Sequence, residues 1–157
     1  MAKATMKKAP GEKKEPAAPK AARKKVLVVV VRGKRKESIA RASVKKGKGV
    51  VRVNSQLLEV ISHPYARQIM REPLLMAGDL ATGLDINVDV HGGGQMGQAE
   101  AARIAIARGL VQFTGSEELK GRMLEHDRSM LVEDVRRVEP KKYKGPKARA
   151  RFQKSYR

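Results

Sequence analysis

Alternating and helical spacings of apolar residues divide the middle of the chain into a short series of elements, and both ends lack either pattern. Val26 to Val31 is an unbroken run of six apolar, mostly β-branched residues. That run predicts a strand apolar on both faces and therefore central in its sheet. A turn at Gly33 should follow, then a second strand through Ala40, Ala42 and Val44. Lys45-Lys46-Gly47-Lys48-Gly49 reads as a hairpin-like turn, because glycine permits the positive φ such turns need. It leads into a third strand, Val50 to Asn54, with Arg52 between Val51 and Val53. Helical spacing then runs from His63-Pro64 through Ile69 and Met70, with Pro64 suited to a first turn. Pro73 predicts a break or kink before Gly78.

Ile86, Val88 and Val90 alternate with Asn87, Asp89 and His91, which predicts a fourth strand with one apolar face. Gly92-Gly93-Gly94 ends it. Gln98 to Phe113 should be a helix whose stripe is Ala99, Ala102, Ile106, Leu110 and Phe113, with Ala105 and Ala107 permitting close packing on a sheet. A further helix is expected over Glu117 to Glu125. The order predicts a two-layer α+β domain, a small four-stranded sheet with helices on one face.

Charge changes this picture more than composition does. The net charge is +19, and it is concentrated. Residues 1–25 hold nine bases against two acids, and residues 141–157 hold eight bases and no acid. Within the body, residues 32–52 carry nine bases and one acid, so residues 53–140 are mildly acidic. One basic strand region and two basic ends are the electrostatic footprint of a polyanion partner. A membrane fits poorly: the longest apolar run has six residues, far below a span, and no stretch is both basic and strongly amphipathic.

The absence of cysteine excludes disulfides and thiolate metal sites. Residues 1–25 are low-complexity Lys/Ala/Pro sequence, without the apolar core of a secretory signal, and are expected to be disordered. The body is expected over 26–140 and an extended arm over 141–157. Tyr143, Phe152 and Tyr156 are interleaved with the arm's cations, and flat π-faces beside cations suit a phosphate backbone with exposed bases. Fully extended, the arm reaches roughly 55–60 Å.

Enzymatic chemistry finds little support. Gly92, Gly94 and Gly97 make a G-x-G-x-x-G between a strand and a helix, but the acid-terminated second strand of a dinucleotide fold is missing. Gly92, Gly93 and Gly94 instead form either a backbone phosphate cradle or a tight turn that lets the helix approach the sheet. His63, His91 and His126 lack metal-ligand spacing, and Asp85 and Asp89 read as surface or capping residues. No cofactor, metal, catalytic group or small-molecule substrate is expected. The candidates for contact with RNA are Arg32, Lys34, Arg35, Lys36, Lys45, Lys46, Lys48 and Arg52 in the body. Arg136 and Arg137 precede the arm, and Lys141, Lys142, Lys144, Lys147, Arg149 and Arg151 lie within it.

Three segments together resemble one family: GKRKESIARASVKKGKGVVRVN (33–54), INVDVHGGGQMGQAEAARIAIARGLV (86–111) and DRSMLVEDVRRVEPKKYKGPKARARFQKSYR (127–157). They are similar to small-subunit ribosomal protein nine, in the archaeal and eukaryotic branch, given the terminal QKSYR. The resemblance implies a left-handed βαβ crossover, against the usual right-handed rule. It also implies a structural role on rRNA of the 3′ major domain in the subunit head, in the cytoplasm, beside neighbouring head proteins. The arm would reach peptidyl-site tRNA, with Lys154, Tyr156 and Arg157 at the contact. Arg157 matches the terminal cation of the family's tail, while Tyr156 replaces a lysine of the bacterial pattern. Lys144 and Lys147 stand where related tails carry small residues, and residues 1–25 fall outside the pattern. The rival reading is a free histone-like protein that compacts nucleic acid.

Overall fold

The computed structural model describes residues 27–155. The N-terminal extension, residues 1–25, together with Val26, Tyr156 and Arg157, lies outside the described residues. Elements follow the order β1 (Val28–Arg35), β2 (Ser38–Lys46), β3 (Val51–Val53), β4 (Gln56–Leu57), α1 (Pro64–Ala77), α2 (Asp79–Thr82), β5 (Leu84–His91), α3 (Gln95–Thr114) and α4 (Glu117–His126). Short 3-10 turns occupy Leu58–Val60 and Arg128–Met130. The strands form one mixed sheet ordered β1-β2-β5-β3-β4. β3 and β5 are parallel neighbours joined through α1, and the other pairs are antiparallel. The α+β architecture is as expected from the sequence, with a two-residue fifth strand added.

Period-two alternation sets the two faces of the sheet. Ser38, Ala40, Ala42 and Val44 of β2 and Leu84, Ile86, Val88 and Val90 of β5 point inward and are buried. α3 covers this face across β1, β2 and β5, α1 packs on α3, and α4 closes against both helices. Ile106 and Leu110 are fully buried; burying such a side chain contributes roughly 1.5–3 kcal/mol. Small residues let the layers meet closely. A Cβ on Gly33 would lie 2.2 Å from the Ala101 carbonyl oxygen, and one on Gly109 would lie 2.7 Å from Val44. At the N-termini of α1 and α4, caps satisfy free N–H groups: His63 Nδ1 accepts from Ala66 N, and Ser116 Oγ from Leu119 N.

Four expectations are corrected. The Val26–Val31 run is not a central strand. β1 lies at the sheet edge, with Val29 and Val31 half-buried under α3 and Val28 and Val30 exposed. Gly33 is not a turn but a strand residue placed where the α3 backbone comes closest; the turn falls at Lys36, with φ +53. Pro73 does not break α1, because its ring is fully buried and packing offsets the lost hydrogen bond. The strand after the Lys45–Gly49 turn does not pair with β2, since β5 lies between β2 and β3.

Candidate nucleic-acid interface

Among the described residues, the outward face of the sheet has no helix upon it and carries several cations of the body that have no carboxylate partner. Register places Arg32 opposite Arg41 and Arg41 opposite Asp89; in the next row Lys34 lies opposite Ile39, which lies opposite His91. Val28, Lys45 and Asp85 share a row, as do Val30, Ser43, Asn87 and Arg52. Lys34, Arg41, Lys45 and Arg52 thus share this face, with no carboxylate within ion-pair distance among the described residues. Arg32 reaches Glu133 only at 3.7 Å and stays exposed. Like charges directly opposite on a sheet destabilise it, so the Arg32–Arg41 pair is a cost that a bound polyanion removes. Arg41 was missed in the sequence. Its alternation with Ala40 and Ala42 could have revealed it as outward-facing.

Lys46 ends β2 and Lys48 projects from the turn that follows, whose backbone is tied to β5. Asp85 Oδ1 accepts from Lys48 N at 2.8 Å and Val50 N at 3.2 Å, while Gly47 N donates to the Gly83 carbonyl at 2.8 Å. Those two backbone bonds, helped by the nearby Lys45 and Arg52, hold the Asp85 carboxyl below its ordinary range. Asp85 therefore caps the turn, and in doing so presents its lysines. β5 separates Arg52 from Lys45, so the cations spread over the sheet instead of clustering on one hairpin.

Other candidates point elsewhere. Arg35 faces the helix layer, where it pairs with Glu100 at 2.5 Å and with Asp134, and both bonds raise its pKa. Arg136 forks onto Asp134, and its hydrogen bonds with those from Arg35 hold that carboxyl far below the usual range. Arg137 donates to the Lys36 carbonyl, leaving the exposed Lys36 side chain at the hairpin tip. Gly92 and Gly93 have φ +75 and +63, and Cβ atoms there would strike the Glu37 carbonyl and Ser38 Oγ. The glycine run is thus a tight turn onto β2, with Ser38 Oγ and Gln98 Nε2 both donating to the Gly92 carbonyl. Gly94 caps α3 with no side-chain bond.

Arm residues 141–155 contain neither helix nor strand. Lys141, Lys142, Lys144, Lys147 and Lys154 are exposed, and Lys144 Nζ sits 5.8 Å from the Tyr143 ring centroid. Lys144 has φ +62, a conformation easier for glycine than for lysine. Arg149 makes a two-pronged pair with Glu139, at 2.5 and 3.0 Å, which lowers that carboxyl's pKa. Arg151 donates to the Tyr143 carbonyl.

Residues 33–157 match the family model described as Ribosomal protein S9/S16. The chain is 55% identical over 133 residues to a Desulfurococcus amylolyticus protein named Small ribosomal subunit protein uS9, covering 85% of this chain and 95% of the relative. Proteins of that name from Halobacterium salinarum and Methanothrix thermoacetophila are 52% and 49% identical, each over 83% of this chain and 100% and 98% of their own lengths.

Proposed function

The chain belongs to the ribosomal protein S9/S16 family, a family of structural rather than enzymatic components of the small ribosomal subunit, and from that premise we propose how it engages RNA. The open sheet face, with Lys34, Arg41, Lys45 and Arg52 and the turn lysines Lys46 and Lys48, docks on folded rRNA of the subunit head, in the 3′ major domain. Recognition runs through phosphates and shape, as a sheet of spread cations without a deep pocket requires. The arm, residues 141–157, extends from this body through rRNA, and its tip meets peptidyl-site tRNA. Arg32 and Lys36 border the same surface. The protein works within cytoplasmic ribosomes, in contact with neighbouring head proteins.

The observation that carries this reading is a sheet face whose cations have no carboxylate within ion-pair distance among the described residues, on a body where Arg35, Arg71, Arg103, Arg108 and Arg136 are all paired. Each phosphate contact adds about 0.7 to the slope of log K against log salt. Replacing Arg41, Lys45 and Arg52 together by alanine should therefore flatten that slope by about 2 in small-subunit rRNA binding. An unchanged slope removes the open face from the interface.

A further inference from the structure

Between the last helix and the arm lies a stretch with no strand and only the 3-10 turn Arg128–Met130, anchored in the core by the buried Met130 and held at positions 127, 131, 133 and 134 by arginines of the body. Arg103 Nη1, on α3, donates to Asp127 Oδ2 at 2.8 Å, while its Nε lies 2.7 Å from Glu72 Oε2 in an ionic contact. One helical turn and a half further on, Arg108 donates through Nε to the Leu131 carbonyl at 2.8 Å. Its Nη1 donates to Glu133 Oε1 at 2.8 Å and to the Arg32 carbonyl of β1 at 2.9 Å. Arg35 takes Asp134, and Arg137 ends the series on the Lys36 carbonyl at the β1–β2 tip. Side chains of Arg103, Arg35 and Arg108 are 12%, 22% and 31% exposed, too enclosed to serve as phosphate contacts.

We propose that Arg35, Arg103 and Arg108 are arm-positioning residues: they pin residues 127–137 along α3 and the edge of β1, fixing where and in which direction the arm leaves the body. The inference rests on the reading that the arm acts at a distant RNA site. A pinned root makes the free arm about 20 residues long instead of about 30. With effective concentration falling as the −3/2 power of length, that alone raises arm engagement about twofold. A fixed exit direction adds to this, because the root delivers the arm from the end of the basic face at Lys36. The arrangement explains why a strongly basic chain keeps Glu133 and Asp134 so close to its RNA-binding surface: they are the clamp's receiving half.

Two variants open the clamp with opposite changes of charge. Glu133→Gln with Asp134→Asn makes the chain more basic, and Arg108→Gln makes it less so. The chain has no native cysteine, so spin labels on Val138→Cys and Arg122→Cys in the full-length protein report the root directly. The clamp predicts a narrow distance distribution in the parent and a broad one in both variants. Equal widths overturn it. For function, small-subunit rRNA affinity is measured with and without arm neutralisation (Lys147→Gln, Arg149→Gln, Arg151→Gln, Lys154→Gln). The arm-dependent affinity ratio should fall by about twofold or more in both clamp variants. A rise in the more basic variant and a fall in the less basic one mean that net charge, not positioning, is at work, and overturn the proposal. If arm neutralisation has no effect in the parent, the arm's RNA role fails, while the label distances still decide the clamp.

Discussion

Arg103 and Arg41 carry the same guanidinium in the same domain and have opposite surroundings. Arg103, on the helix side, is nearly enclosed and lies between Glu72 and Asp127. Arg41, on the open side of the sheet, is exposed and faces Arg32 across the strand pair. The first cation is already paired within the chain; the second, with Asp89 as its neighbour on β5, has no carboxylate within ion-pair distance among the described residues. Density of basic residues therefore does not measure affinity for a polyanion. Arg35 sits in the middle of the most basic stretch of the body and yet belongs with Arg103, because strand alternation turns it toward Glu100 and Asp134.

The comparison breaks hardest at Arg103. Its replacement by alanine leaves Glu72 and Asp127, each about a third exposed, without their arginine, and the lost charge-assisted bonds should cost about 2 kcal/mol. Arg41→Ala should change stability by no more than about 0.5 kcal/mol. Denaturant unfolding of the two variants checks this, and equal losses would contradict the division.

The arm belongs with the open face, and deletion of Ser155 to Arg157 extends the comparison to its tip. One charge-assisted contact at the low end, about 1.5 kcal/mol, corresponds to roughly tenfold weaker tRNA retention by reconstituted subunits that otherwise assemble normally. Equal retention would leave the arm with rRNA alone.

Acid separates the two groups more gently. The Asp134 carboxyl is held below its unfolded value by Arg136 and Arg35. For Asp127, burial pushes upward but bonds from Ser129 and Arg103 outweigh it. Depressed carboxylates contribute fully above their unfolded pKa of about 3.9 and lose that contribution as pH falls through the folded values. The midpoint of thermal unfolding should therefore drop as the pH goes below about 4, and Asp134→Asn should shallow that drop while lowering stability at neutral pH. The smallest effect belongs to the exposed Lys120–Glu117 pair at 3.0 Å. Lys120→Ala should cost no more than about 0.5 kcal/mol, measured by the same unfolding assay.

Much of this was legible in the residues. Alternation from Ile86 to Val90 identified β5 and its inward face, because that strand buries one side only; the Ala99–Leu110 stripe identified α3, although the helix is enclosed by the sheet and by α1 and also buries Ala101, Ile104 and Gly109. What escaped depended on distant chain. Nothing near Val26–Val31 shows that β1 is an edge, since a helix on one face supports the same β-branched run. Gly33 signals a turn or a close approach equally, and only α3, some seventy residues on, decides between them. The insertion of β5 between β2 and β3 moved Arg52 away from the lysine turn. Arg35 could not be separated from Lys34 by composition, because its partners lie at 100 and 134.

The central claim, that open-face arginines meet RNA while clamp arginines stay with their carboxylates, is tested most directly by following arginine Nε–Hε resonances as small-subunit rRNA is added. Signals of Arg41 and Arg52 should shift or broaden at the first additions, while those of Arg35, Arg103 and Arg108 hold their positions. Movement of the clamp signals with Arg41 and Arg52 unchanged would contradict the account.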